Sequence, residues 1–341
     1  MLRRALTSQY LVLLFCGVYF AALAPFAPGL ASPGNIGNIL VAALPLLVVA
    51  TGQTLVLISA GIDLSVTSTI ALASVVGALL IYGDPGAAGD VGATGPLAAS
   101  ALAAPAGALV MLGVGAGVGL LNGLAVARLS MPPFIVTLST MMFFSGLAVW
   151  LTRSAAIAPL PASFIAIGKS PWSAAAVAVA VCAAAHLALS RTLAGRWLYA
   201  TGQNPEAARV SGVPTGGVLV ATYVACGLCA AVAAILITGR LETGSPVHWR
   251  HNLLDVIGAT VIGGTSLSGG RGKVIWTVFG VLFLTLVDNS LNLLNLSHFS
   301  IMMVKGAVIL AAALLDVLRG RLKPHPPRPP RPPNLPHPCS P

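Results

Sequence analysis

Charged residues are scarce in this chain of 341 residues. Asp, Glu, Lys and Arg together make up only 8% of it, whereas soluble domains carry about 25%. Hydrophobic residues reach 57%, so a water-soluble globular fold is excluded. Aromatic residues are also few, at 6%, and the apolar runs are long rather than alternating, which excludes a membrane β-barrel with aromatic girdles. We therefore predict an all-α integral membrane protein.

Acidic residues are the rarer charged type, with 8 Asp and Glu against 18 Lys and Arg. The basic excess falls mostly in loops and tails, as the positive-inside rule expects, so we predict no nucleic-acid partner. A bilayer core of about 30 Å needs roughly 20 apolar residues per helix. The sequence offers ten candidate spans: residues 10–24, 36–58, 64–82, 97–126, 134–151, 172–189, 217–238, 253–265, 274–296 and 301–318.

Alternation of these spans predicts which side each end of the chain occupies. With Arg3 and Arg4 in the cytoplasm, most Lys and Arg residues also fall inside, and both termini are cytoplasmic. The first apolar stretch has the charge and length of a signal peptide, but many spans follow it, so we interpret it as a retained first helix. We predict a transmembrane domain over residues 1–318 and a disordered cytoplasmic tail, rich in Pro and Arg, over 319–341.

Two polar segments interrupt the apolar runs. The first contains Gly61, Asp63 and Ser65, where glycine can break a helix and Asp or Ser can accept hydrogen bonds from freed N–H groups. Because an Asp at a helix centre costs about 3 kcal/mol, Asp63 is predicted either to cap a broken helix or to line a translocation pathway. The second break, Gly263 to Gly272, includes Gly264, Ser266 and Ser268 and follows a segment too short to span, which predicts a re-entrant turn.

A third polar feature lies late in the chain, where Asn289, Asn292 and Asn295 repeat every three residues on one helical face. Such a stripe either holds helices together or lines a path for a polar solute. Motifs of enzymes are lacking: the sequence has no H-E-x-x-H, no G-x-S-x-G and no Walker ending. We predict no catalytic residue, no metal site and no bound cofactor.

Several ordered motifs together resemble the permease subunit of bacterial ribose-type ABC sugar importers. The resemblance runs from about Asn35 to Asp316, and its motifs are Gly52 to Thr54, Gly61 to Ser65, Pro132 to Leu138, Gly202 to Gly212, Gly263 to Gly272 and Asn289 to Leu294. It implies a polytopic bundle of about ten helices in the bacterial inner membrane. The implied partners are a cytoplasmic ABC ATPase that uses ATP, a periplasmic sugar-binding protein and a second permease subunit, identical or different.

The resemblance also implies an ATPase-coupling segment within residues 191–216. Asn204 can cap a short helix, Pro205 suits its first position and Glu206 suits its N-terminus, while Gly212 suits its end. The predicted coupling residues are Asn204, Pro205, Glu206, Ala207, Ala208, Arg209 and Gly212. The chain departs from the family pattern at Thr67, where Gly is usual, at Leu253, where Glu is frequent, and at Asp288, where Asn is common.

Alternatives remain at two levels. Asp63 and Asp288 could carry protons in a stand-alone secondary transporter, but such a carrier does not need a capped docking segment. Within the importer family, the cargo could also be a furanone autoinducer, a nucleoside or a branched-chain amino acid. The available polar residues are mostly Asn, Ser, Thr and Gln, which favours a neutral polyhydroxylated solute.

Overall fold

The computed structural model describes residues 11–82, 95–97, 100 and 102–322, and in this part of the chain it is a bundle of α-helices. The only β-pairing among these residues is an isolated bridge between Ile157 and Gly244. In chain order the helices are α1 (Leu11–Leu23), α2 (Pro33–Ile58), α3 (Val66–Ile81), α4 (Ala103–Arg128), α5 (Pro133–Thr152), α6 (Ala162–Lys169), α7 (Pro171–Arg191), α8 (Leu193–Gln203), α9 (Pro205–Val210), α10 (Thr215–Leu241), α11 (Leu253–Ile262), α12 (Val274–Leu293) and α13 (His298–Leu322).

The predicted membrane spans correspond one by one to helices. Six helices are long and apolar enough to cross a bilayer, namely α2, α4, α5, α7, α10 and α12. Four shorter apolar helices, α1, α3, α11 and α13, coincide with the remaining predicted spans. The all-α polytopic prediction is therefore confirmed. Residues 319–322, the start of the predicted disordered tail, are instead the last turn of α13. The rest of the predicted tail lies outside the described residues.

Two short helices were not predicted. Both α6 and α8 lie outside the long apolar runs, with eight and eleven residues respectively. The hydroxyl of Thr192 starts α8 by accepting a hydrogen bond from the N–H of Gly195 at 3.2 Å. An isolated helix of this length is marginal in water, so packing against neighbouring helices stabilises α8.

The centre of the bundle is the contact between α4 and α10. Gly115, Gly119 and Gly123 lie on one face of α4 at the four-residue spacing that lets helix backbones approach. A Cβ added to Gly119 would lie 2.8 Å from the Cα of Val224, and one added to Gly115 would overlap the carbonyl oxygen of Gly227. The two helices therefore touch backbone to backbone, with no side chain between them at these positions.

Candidate functional site

The first helix break is a turn over residues 59–65 that joins α2 to α3. Its left-handed residue is Ala60, with φ of 63°, rather than Gly61. Gly61 has a different role, because a Cβ there would lie 2.6 Å from the hydroxyl oxygen of Tyr223. The predicted break is present, and its glycine makes room for α10 instead of supplying an unusual φ.

Asp63 is almost fully buried in this turn, with 2% of its surface exposed. Its Oδ1 accepts hydrogen bonds from the N–H of Ser65 at 2.9 Å and from the Ser65 hydroxyl at 2.6 Å. Asn122 of α4 donates to the same hydroxyl at 2.8 Å. The N-cap position of α3 is Ser65, not Asp63, so the capping interpretation is corrected: Asp63 fixes the turn three residues before Val66, the first residue of α3.

Side chains from two helices hold the backbone of this turn. In the amide orientation that satisfies both of its groups, Gln53 of α2 donates to the Asp63 carbonyl oxygen at 3.1 Å and accepts from the Asp63 N–H at 3.3 Å. Thr137 of α5 donates to the carbonyl oxygen of Ile62 at 3.1 Å. These two side chains satisfy backbone groups that a helix would otherwise pair, as membrane burial requires.

The second break follows α11 and spans residues 263–273. Gly264, Gly269 and Gly270 have φ values of 82°, 81° and 68°, a region that glycine enters without strain. Within the turn, Ser266 donates its N–H to the Arg271 carbonyl at 3.0 Å, and its hydroxyl accepts from the N–H of Ser268 at 3.3 Å. A turn is present at the predicted break, and the Ser266 hydroxyl hydrogen-bonds within it.

The two breaks meet at α8, in a contact that we call the junction and define by Ile58, Tyr199, Gly202, Gly270 and Gly272. The Gly270 N–H donates to the Ile58 carbonyl oxygen at 2.8 Å, and the Tyr199 hydroxyl donates to the Gly272 carbonyl at 2.7 Å. Gly202 of α8 lies so close that an added Cβ would overlap the Ile58 oxygen. The sequence analysis did not anticipate this contact, since it joins three distant segments.

The predicted short helix of the coupling segment is present as α9. The side chain of Asn204 accepts from the Ala207 N–H at 3.0 Å, Pro205 is the first helical residue, and Gly212 has φ of 82°. Glu206 and Arg209 form an exposed ion pair at 2.8 Å with each other. Its two alanines differ in exposure: Ala207 is exposed, whereas Ala208 is buried against the rest of the chain.

Asn289 and Asn292 have separate roles. The side-chain amides of Asn289 and Asn35 exchange two hydrogen bonds, at 2.9 and 3.0 Å, which tie the end of α12 to the start of α2. Asn292 is exposed and donates to the Asp288 carbonyl at 2.7 Å, one turn earlier in the same helix. Of the two interpretations offered for the stripe, Asn289 fits the one in which amides hold helices together.

An ionic cluster that the sequence analysis missed joins α11, α12 and α13. Lys305 Nζ lies 2.8 Å from Asp255 Oδ2 and 3.1 Å from Asp288 Oδ1. The side chains of Asp255 and Lys305 are 8% and 15% exposed, so this pair is largely desolvated. The available signal was a lysine inside the apolar run 301–318, where a charged residue needs a partner.

Helices of membrane-spanning length and two broken segments together define a polytopic α-helical membrane protein. The family model described as "branched-chain amino acid transport system / permease component" matches residues 35–313. The chain belongs to that family.

Curated relatives cover nearly the whole chain. It is 34% identical to the ribose import permease protein RbsC of Escherichia coli strain K12 over 92% of this chain and 96% of that protein. It is also 34% identical to the L-arabinose transport system permease protein AraH of the same strain, over 93% and 92%. The ribose import permease protein RbsC of Bacillus subtilis strain 168 is 37% identical over 85% and 86%. No solved structure matches the chain.

Proposed function

We propose that this chain is the transmembrane subunit of an ATP-driven bacterial importer and carries a monosaccharide across the inner membrane into the cytoplasm. The observation that supports the cargo is the similarity, over more than nine tenths of the chain, to permeases named for ribose and L-arabinose. A branched-chain amino acid, the cargo in the family description, is the second candidate. The scarcity of charged side chains in the bundle favours a neutral polyhydroxylated solute.

The proposed assembly includes a periplasmic sugar-binding protein, a second permease subunit and a cytoplasmic ABC ATPase that hydrolyses ATP. In it both chain termini are cytoplasmic, and so is α9, whose exposed face docks on the ATPase. The junction then connects that docking helix to both helix breaks through α8. A secondary transporter is less well supported, because Asp63 is bonded to Ser65 and Asp288 to Lys305.

Reconstitution tests this proposal. In lipid vesicles that contain the permease with the ATPase and binding protein encoded beside its gene, we expect ATP-dependent accumulation of labelled D-ribose or L-arabinose. The permease alone, or the complex with a hydrolysis-deficient ATPase, should accumulate neither sugar. Accumulation driven by a proton gradient with the purified permease alone would contradict the proposal, and uptake of leucine instead of sugar would favour the second cargo.

The difference in exposure between Ala207 and Ala208 yields a prediction about how α9 couples to the ATPase. Ala207→Trp should lower co-purification of the ATPase and sugar-stimulated ATP hydrolysis by at least tenfold, because a large side chain then occupies the exposed docking face. Insertion in the membrane should be unchanged, since α9 is only six residues long and lies between longer helices.

Two controls make this test specific. Ala208→Trp would disturb packing within the permease itself, because Ala208 is buried, so it cannot report docking. Ala155→Trp places the same side chain at an exposed site in the loop between α5 and α6 and should leave ATPase binding intact. Equal ATPase binding by Ala207→Trp and the unsubstituted chain would place the docking surface elsewhere.

A further inference from the structure

A cavity of about 550 Å³ lies between α3, α5 and the loop that precedes α11. Its volume is in the range of ligand pockets in proteins, about 300–1,000 Å³. Residues from all three segments line it: Thr67, Ser68, Ala71, Met141, Met142, Ser145, Gly146, Val149, Pro246, His248, Arg250 and Leu253.

The polar groups of this lining suit hydroxyl groups rather than a cation. Thr67 and Ser145 offer hydroxyls that both donate and accept, and Arg250 offers donors. The Ser68 hydroxyl donates to the Ser65 carbonyl oxygen at 2.8 Å and offers an acceptor. None of the twelve lining residues is Asp or Glu. A positively charged solute therefore lacks a counter-ion here, whereas a polyhydroxylated solute finds several partners.

His248 adds an unused hydrogen-bonding atom. Its Nδ1 is buried and has no hydrogen-bond partner in the described part of the chain. Burial lowers the pKa of His248, so the imidazole is neutral near pH 7 and can donate from one nitrogen and accept at the other.

We propose that this cavity is the site at which the permease contacts its solute, a neutral polyhydroxylated molecule, with Thr67, Ser145 and His248 as specificity-determining residues. The inference rests on the proposed function and deepens it. The cavity wall begins in the first turn of α3, directly after the turn 59–65. Only a few residues of backbone therefore connect the junction to the cavity wall.

Thiol labelling in the assembled transporter tests whether the cavity is open to an aqueous solute. Ser145→Cys should react at least ten times faster than Phe143→Cys with a charged methanethiosulfonate reagent, because the reaction needs a hydrated thiolate. Phe143 is the matched control: it lies on the same helix, is 66% exposed and does not line the cavity. The unsubstituted chain measures the background from native cysteines. Equal rates for the two variants, as expected if lipid or a second copy of the chain fills the cavity, would overturn the proposal.

Uptake then tests the contact itself. Thr67→Val and His248→Phe keep the approximate shape of each side chain, and at equal expression each should lower uptake of D-ribose or L-arabinose by about tenfold. Unchanged uptake in both variants would overturn the solute contact. A different outcome would separate the two proposals. If the unsubstituted transporter concentrates a charged solute and neither sugar, both the sugar function and the neutral-solute assignment are wrong, even when Ser145→Cys is labelled. The labelling of Ser145→Cys tests whether the cavity contains water, and this result does not depend on which solute is transported.

Discussion

Replacing Lys305 with methionine is expected to remove most of the folded permease from detergent extracts. The variant leaves Asp255, only 8% exposed, without its ammonium partner and close to the carboxylate of Asp288. Removing one partner of a buried ion pair costs about 3–5 kcal/mol, because the other charge stays buried and uncompensated. Such a loss is comparable to the whole stability of many domains. The measurement is the yield of monodisperse protein by size-exclusion chromatography at equal expression.

A compensated variant separates loss of charge balance from loss of packing. Lys305→Met combined with Asp255→Asn and Asp288→Asn removes all three charges, and replacing a buried ionic group by uncharged residues is often neutral or stabilising. We therefore expect the triple variant to recover most of the yield. If Lys305→Met alone gave the same yield as the unsubstituted chain, the cluster would not contribute to the stability of the fold.

Gly202→Ala is expected to lower sugar-stimulated ATP hydrolysis and uptake more than tenfold. A Cβ at this position would overlap the carbonyl oxygen of Ile58 and lie 2.8 Å from the Gly270 nitrogen. Both obstacles are backbone atoms, so α8 has to move away from the two helix breaks. Overpacking of this kind costs about 1–3 kcal/mol. Since alanine is the better helix former, the loss cannot come from α8 itself.

The matched control for this substitution is Gly217→Ala. Gly217 also lies in a helix, at the start of α10, and a Cβ there meets nothing within 4 Å. Its uptake should equal that of the unsubstituted chain. ATPase co-purification should remain normal in Gly202→Ala, because the exposed face of α9 is not altered. Normal uptake by Gly202→Ala would show that the junction does not transmit motion between the ATPase and the helix breaks.

The features that the sequence predicted are those set by local rules. A bilayer fixes the length of an apolar run, so helices such as α2 and α10 were located within a few residues. Likewise, the cap of α9 is encoded by neighbouring residues, Asn204 and Pro205, and it formed as expected. Both turns were also visible, because Gly, Ser and Asp interrupt otherwise continuous apolar segments.

The features that the sequence did not predict depend on contacts between distant segments. Lys305 and Asp255 are 50 residues apart in the chain but form a hydrogen bond. No local sequence pattern indicates that these two side chains lie close together. The same holds for Ala208: its burial is set by how α9 packs on the neighbouring helices, not by its own sequence. Likewise, the residues around Gly202 read as an ordinary helix in the sequence. Only the folded chain shows that Ile58 and Gly270 lie against it.

The glycine face of α4 has a consequence for motion during transport. Where the backbones of Gly115 and Gly227 touch, neither helix can slide or rotate without a direct collision of main-chain atoms. We therefore expect α4 and α10 to move together as one rigid unit during transport. The turns 59–65 and 263–273 interrupt helices and contact α8 at the junction, so we expect them to act as the hinges. Transport would then pivot the short helices around a central helix pair that keeps its packing.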